Sequence, residues 1–419
     1  MNKFIIIFGL GIFIFQSVFT QTDILSKTDS FPFIRYKKNN YSIYDTNEYD
    51  ILFSKFIKIN NGGEENINIV HIGDSHIQAD FFSGYFRKRL QRFFNSVGGR
   101  GFIFPYKIAH TNNPLDYIVN STGKWTNCKN ISKKRCELGL SGMSISTIDA
   151  SSSVSIILKE DSVLYDFNSV VVFHKFGDRY FKPKIINEHL IKVIPNIDKG
   201  CTVFEFDTVI NTIKLKFSKT DEEQDRFTLF GFSFYSRNHG IIYHTVGVNG
   251  AKVESYLKCN YFGEQLRYLN ADWVIVSLGT NDSYTSNFDT VKFSKNLNDM
   301  ILKIKQSSPN AAVLFVTPGD DYINKTIENN NVKLASEIIK KITKEQGVSY
   351  WDFYNIMGGD ESIVKWYNYG LAHTDYLHFT IKGYEIQSEL MFNAFLKLYY
   401  SYLEVRLPEK KWKIEPLKY

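Results

Sequence analysis

The spacing of hydrophobic positions changes twice along the chain. From Thr46 to Ile59 the stretch TNEYDILFSKFIKI sets Tyr49, Leu52, Phe53 and Phe56 at helical intervals, which predicts an amphipathic helix. A polar loop over 60–65 leads into INIVHI at 67–72, a β-branched run of the kind that a buried parallel strand carries. From Ala79 to Phe94 the helical spacing returns, with Phe82, Tyr85, Phe86, Leu90 and Phe93 on one side. A strand followed by a helix is the first step of a parallel sheet covered by helices.

From about 113 to 240 the apolar runs become short and alternating: SVSIILK, SVVVFHKF, IKVIP, TVFEFDTV, TIKLKFS and FTLFGFSFYS. Turn residues such as Asp198-Lys199-Gly200 separate them, and many short strands at even spacing predict a β-sandwich. The α/β pattern then resumes. Strands are predicted at Ile241–Val246, Trp273–Leu278, Ala312–Val316 and Ser349–Phe353. Helices are predicted at Ala251–Leu269, Phe293–Gln306, Val332–Gln346 and Ile381–Leu403. The simplest organisation is one α/β domain in two parts, 67–112 and 241–405, interrupted by an all-β insertion at 113–240. A leading segment at 21–66 precedes it and a tail at 406–419 follows. Insertions of this kind are tolerated where their ends lie close together.

The first residues, MNKFIIIFGLGIFIFQSVFTQ, have a Lys3 n-region, an apolar run from Phe4 to Phe15 and a short polar end. This is the pattern of a secretory signal peptide, here 1–20, and the run is short for a membrane anchor. Removal of the signal leaves no stretch of the length that spans a bilayer, so the expected location is periplasmic or extracellular. Export permits disulfides. Of the four cysteines, Cys128 and Cys136 flank a short basic loop and are the best candidate pair. Four reduced thiols, with Cys201 and Cys259, are the alternative.

Composition narrows the function. The net charge of +6 is modest for 419 residues, and neither a basic helix nor a zinc spacing argues for nucleic acid. Aromatic residues make up 16% of the chain; most belong in the core, but Trp125, Tyr180 and Tyr235 in the insertion are candidates for stacking on sugars.

Four polar blocks sit where strands end or the last helix begins: Gly73-Asp74-Ser75-His76, Gly247-Val248-Asn249-Gly250-Ala251, Gly279-Thr280-Asn281-Asp282 and Asp375-Tyr376-Leu377-His378. A parallel sheet brings such strand ends to one rim. The residue types suit acyl transfer. A Ser75 hydroxyl needs a base, which His378 supplies, and Asp375 orients that base. The oxyanion needs fixed donors, for which the N–H groups of Ser75 and Gly250 and the amide of Asn281 are candidates. Capping of a helix by Asp74 or Ser75 is the alternative reading of the first block taken alone. No His and carboxylate set has a metal-ligand spacing, and the chemistry calls for no cofactor.

Taken in order, Ser75, Gly250, Asn281 and His378, with Asp375, resemble the four blocks of the SGNH hydrolases, or GDSL esterases. The first block reads Gly-Asp-Ser-His where many members read Gly-Asp-Ser-Leu. The runs GGRGFIFPYKIAHTNNPLDY and HTVGVNGA, with the β-rich insertion between the first two blocks, are similar to secreted peptidoglycan O-acetylesterases. The resemblance implies a flavodoxin-like catalytic domain with a parallel sheet, and an insertion like a carbohydrate-binding module. It also implies removal of O-acetyl groups from a polysaccharide, peptidoglycan or another glycan. A glycan O-acetyltransferase using the same triad and a non-catalytic glycan-binding protein are the alternatives.

Other residues have lesser expected roles. His71 is expected in the core, and His76 either lines the pocket or starts the helix. His373 is expected in a loop. Asp282 either supports the Asn281 turn or lies at the surface. Arg100, Asn112 and Asn113 border the cleft or scaffold loops.

Overall fold

The computed structural model describes residues 31–159 and 163–406. The expected signal peptide, most of the tail and the first part of the leading segment lie outside these residues. A seven-stranded sheet forms the centre. Its order is Tyr41–Ser42, Ser349–Trp351, Ala312–Val316, Trp273–Ser277, Ile67–Gly73, Ile241–Gly247 and Val97–Gly99. Every pairing is parallel except that of Tyr41–Ser42, which runs antiparallel to Ser349–Trp351.

Alternation along the strands sends side chains to two cores. Ile67, Ile69 and Ile275 face one core with helices Asn47–Asn60, Phe81–Phe93 and Ile381–Arg406. Val70, Ile72, Val274 and Val276 face the other, with helices Phe262–Leu269, Thr290–Ser307 and Asn330–Glu345. Burial of both faces is why these strands are almost continuously apolar.

The β-rich region forms two antiparallel sheets. One, of four strands, is ordered Lys182–Ile185, Thr212–Ser218, Ser153–Leu158 and Tyr117–Thr122. The other is built on Cys201–Ile210, Phe167–His174 and Phe227–Tyr235. One strand pairing crosses the expected boundary at 113. Strand Gly101–Ile103, assigned to the α/β part, pairs with Phe227–Tyr235 in the sandwich. Phe102, Phe173 and Phe232 share one core with Val70 and Val276 of the parallel sheet. The leading segment is equally bound in, since its strand extends the sheet and its helix buries Tyr49, Leu52, Phe53 and Phe56.

The helix expected at Ala79–Phe94 starts two residues late, and the one expected at Ala251–Leu269 is broken. The first runs over Phe81–Phe93 and is set apart at Asp80, whose φ is +58°, from the short helix Ser75–Gln78 before it. The Asp80 carboxylate is gripped there by Arg87 and Arg100, each at 2.8 Å, and the strain is offset by this buried network. The second divides between Val253–Leu257 and Phe262–Leu269. Lys303 Nζ donates to the carbonyls of Leu257 and Cys259 at 3.2 and 3.1 Å, satisfying acceptors that a continuous helix would have used.

Candidate active site

Ser75 opens the short helix that follows strand Ile67–Gly73. Gly73 is not in the left-handed region; it is glycine because of space. A Cβ there would lie 2.2 Å from Ile77 Cγ1 and 2.9 Å from the Ser277 carbonyl oxygen. Asp74 caps the helix by accepting the His76 N–H at 3.0 Å. The capping reading and the nucleophile reading of this block are thus compatible, carried by adjacent residues.

The chain brings Ser75, His378 and Asp375 together across about three hundred positions. Ser75 Oγ lies 2.9 Å from His378 Nε2, and His378 Nδ1 lies 2.8 Å from Asp375 Oδ2. Asp375 also folds its own turn: Oδ1 accepts the N–H groups of Leu377 and His378 at 3.1 and 3.0 Å. Burial disfavours its charge, but the bonds from His378 and from these two N–H groups outweigh that and hold the carboxyl below its usual value.

Gly250 and Asn281 lie on the neighbouring strand ends. Gly250 takes φ +79°, a conformation that favours glycine, and leaves its surroundings open enough for a substrate to approach. The Asn281 amide donates to Asp74 Oδ2 and to the Ala251 carbonyl, both at 3.1 Å. Asp282 is buried and accepts the Val253 N–H at 3.1 Å, so it secures the segment just after Gly250 rather than lying at the surface. Burial is the main reason that the carboxyls of Asp74 and Asp282 are pushed up to about 6 and about 7.

The lesser candidates separate. His71 is a core residue, bonded to Tyr243 Oη and Ser277 Oγ at 2.7 Å each. His76 meets Tyr384 Oη at 2.9 Å and lies beside the His378 ring, centroid to centroid 5.2 Å. His373 is a loop residue whose N–H donates to the His378 carbonyl. Arg100 does not border a cleft; it is buried in the network with Asp80, Arg87 and Asp116. Trp125 donates to the Thr122 carbonyl and packs edge-on against Phe217. Tyr235 is half-buried near His244, whereas Tyr180 lines a cavity of about 920 Å³ in the sandwich.

Asn112 and Asn113 are scaffolding, and Asn112 belongs to a brace that sequence reasoning missed. Gln78, fully buried one turn after Ser75, accepts the Asn249 N–H at 2.9 Å and donates to Asn112 Oδ1 at 2.6 Å. Asn249 Nδ2 donates to the same Asn112 oxygen at 2.7 Å. The brace ties the Ser75 helix to the Gly250 loop. The only signal in the sequence is an uncharged polar residue three places after the serine. Among the described residues, no group of three or more His, Cys, Asp or Glu is placed to hold a metal ion.

Comparison with known proteins bears on the family and the fold. The GDSL-like lipase/acylhydrolase family model matches residues 230–386, a span holding Gly250, Asn281, Asp375 and His378 but not Ser75. A solved peptidoglycan O-acetylesterase has the same fold, with a TM-score of 0.71 at 21% identity, covering 86% of this chain and 99% of its own. A lipase/acylhydrolase from Enterococcus faecalis aligns over 41% of this chain and 80% of its own, at 20% identity and a TM-score of 0.31. No curated protein matches the chain. The family match and the shared fold support the SGNH, GDSL-like resemblance carried by the four blocks, and with it hydrolase chemistry.

Proposed function

From a chain with the GDSL-like acylhydrolase fold, we propose an exported serine esterase that removes O-acetyl groups from a polysaccharide, with peptidoglycan the first candidate. The observation that carries the reading is the continuous relay from Ser75 Oγ through His378 to Asp375, at 2.9 and 2.8 Å. The sequence similarity and shared fold with a peptidoglycan O-acetylesterase support the substrate class. The apolar run at Phe4–Phe15 supports export, as does the disulfide between Cys128 and Cys136, since such bonds persist in oxidising compartments.

Ser75 Oγ attacks the acetyl carbonyl carbon while His378 Nε2 takes its proton. Asp375 holds the imidazole with Nε2 free to accept and stabilises the imidazolium that forms. The tetrahedral oxyanion is received by the N–H groups of Ser75 and Gly250 and by Asn281 Nδ2. Ser75 is the first residue of its helix, so its N–H has no intrahelical acceptor to give up. Collapse expels the sugar oxygen, which takes the proton back from His378, and leaves acetyl-Ser75. Water then attacks the acetyl carbon, giving its proton to His378; breakdown of this second intermediate releases acetate and returns the proton to Ser75.

The test is acetate release from acetylated peptidoglycan, acetylated xylan and acetylated pectin. Release from peptidoglycan at the highest kcat/KM is expected. Hydrolysis of small acetyl esters with no release from any polymer would overturn the polysaccharide reading.

A further inference from the structure

The sandwich extends a short loop over the Gly250 turn. It runs Cys-Lys-Asn-Ile-Ser-Lys-Lys-Arg-Cys from Cys128 to Cys136 and is closed by the disulfide between its ends. A Cβ placed on Gly250 would have Ile131 Cδ1 as its nearest neighbour, at 3.9 Å. Asn130 anchors the loop from beneath: it is buried, and its N–H donates to the Gly142 carbonyl at 2.8 Å. Ile131 is 47% exposed, and Lys133, Lys134 and Arg135 are exposed beyond it.

These cations have no acid to answer them. The loop itself contains none, and the first acid after it, Glu137, is taken by Lys175 at 2.8 Å. Lys133, Lys134 and Arg135 make no ion pair among the described residues. Lys252, two places after Gly250, is a further exposed cation. Like charges crowded into a cross-linked loop repel one another, and an anionic partner relieves that repulsion. Ammonium and guanidinium groups suit carboxylates in particular. The loop stands beside the Gly250 turn, and among the described residues no hydrogen bond joins it to Ser75 or His378. It is therefore placed to meet a neighbouring unit of a chain, not the acetyl group itself.

We propose that loop 128–136 is a cationic subsite that binds carboxylates on an acidic polysaccharide, next to the sugar whose acetyl group reaches Ser75. This rests on the reading of the site as a polysaccharide esterase and adds that its polymer carries negative charge. The occupant is a carboxylate-bearing glycan, because three of the five consecutive exposed residues 131–135 are cations.

The test measures binding of polygalacturonate, and of its methyl-esterified neutral form, to the intact protein. The loop variant is Lys133→Gln, Lys134→Gln, Arg135→Gln. The control is Lys184→Gln, Lys214→Gln, Lys216→Gln, three exposed lysines on the four-stranded sheet. The wild type is expected to bind the acidic polymer, less tightly as salt rises, and not the neutral one. The loop variant should bind it on the order of tenfold more weakly, as expected for three exposed ion pairs, and the control within about twofold of wild type. Melting temperatures show that each variant is folded. Equal losses in both variants, undiminished binding by a folded loop variant, or no binding by the wild type would overturn the proposal. Binding is read without turnover, so it fails separately from the esterase reading, which hydrolysis of a small acetyl ester by the wild type tests.

Discussion

Asp74 Oδ2 and Asn281 Nδ2 lie 3.1 Å apart, so the residue before the proposed nucleophile orients the side chain proposed to receive the oxyanion. The other contact of that amide, to the Ala251 carbonyl, is also 3.1 Å long and marks the direction that a substrate oxygen would compete for. Asn281→Ala is expected to lower kcat on a soluble acetyl ester by about 10²–10³-fold. KM should move much less, because the charge that Asn281 serves appears only in the transition state. Steady-state kinetics with an unchanged kcat would mean that Asn281 only braces Asp74.

Ser75→Ala should remove at least ~10³-fold of turnover, leaving the residue of catalysis that donors and binding supply. The side chain is partly exposed, and its one hydrogen bond is to His378, so the melting temperature should stay close to wild type. A folded variant with near wild-type hydrolysis would remove Ser75 from the mechanism.

The Gln78 brace predicts a different pattern. Gln78→Met removes the acceptor of the Asn249 N–H, while the exposed Asn112 oxygen keeps its bond from Asn249 Nδ2. Leaving this part-buried N–H without its acceptor costs on the order of 1 kcal/mol. The Gly250 turn loosens, so kcat should fall by roughly tenfold, given that one well-placed oxyanion donor is worth more than that. The pH profile of kcat/KM should keep its shape, because the relay through His378 is untouched. A profile displaced along the pH axis would show that Gln78 acts on the triad instead.

Asp282 supplies a test against pH. Burial raises its carboxyl from 3.8 to about 7, partly opposed by the bond from the Val253 N–H. Its folded value lies above its unfolded one, so the folded protein holds the proton between about 4 and 7. The associated stability is complete below about 4 and is lost as pH rises through about 7. Asp282→Asn keeps an acceptor for Val253 and has no charge to bury. Its melting temperature, relative to wild type, should therefore climb as pH is raised across that window. A difference that stays constant with pH would count against a buried, protonated Asp282.

Excision of residues 113–240 should yield an insoluble or unfolded chain, despite the placement of the whole triad outside them. Phe173 and Phe232 share a core with Val70 and Val276, and Phe173 meets the Tyr268 ring at 5.3 Å. Removing the sandwich opens one face of the parallel sheet to water. A soluble excised protein with a cooperative thermal transition would show that this face tolerates exposure.

Much of the fold is legible in the sequence because its periodicities are local. INIVHI and WVIVS are apolar enough to be buried strands wherever the chain goes, and TIKLKFS alternates as a half-exposed strand must. The four blocks are legible for a related reason: each needs particular residue types within a few positions, as Asp375 and His378 do to close their own turn. What the sequence leaves open is whatever depends on distant partners. Nothing local says that Asp80 will part the short helix Ser75–Gln78 from the one after it, because Arg100 reaches it from another segment. Arg100 reads as a loop cation until that network buries it. Gln78 looks like a surface polar residue, and Asp282 stays open between surface and support, until Asn249 and Val253 bring N–H groups to them from the end of another strand. The expected boundary at 113 differs from the pairing for the same reason: the pairing of Gly101–Ile103 with Phe227–Tyr235 spans more than a hundred residues, and strand alternation carries no record of its partner. Periodicity and local chemistry thus determine which segments become strands, helices and candidate site turns. Only the tertiary structure decides which polar groups are buried together, because desolvation and pairing belong to positions in space and not to positions in the chain.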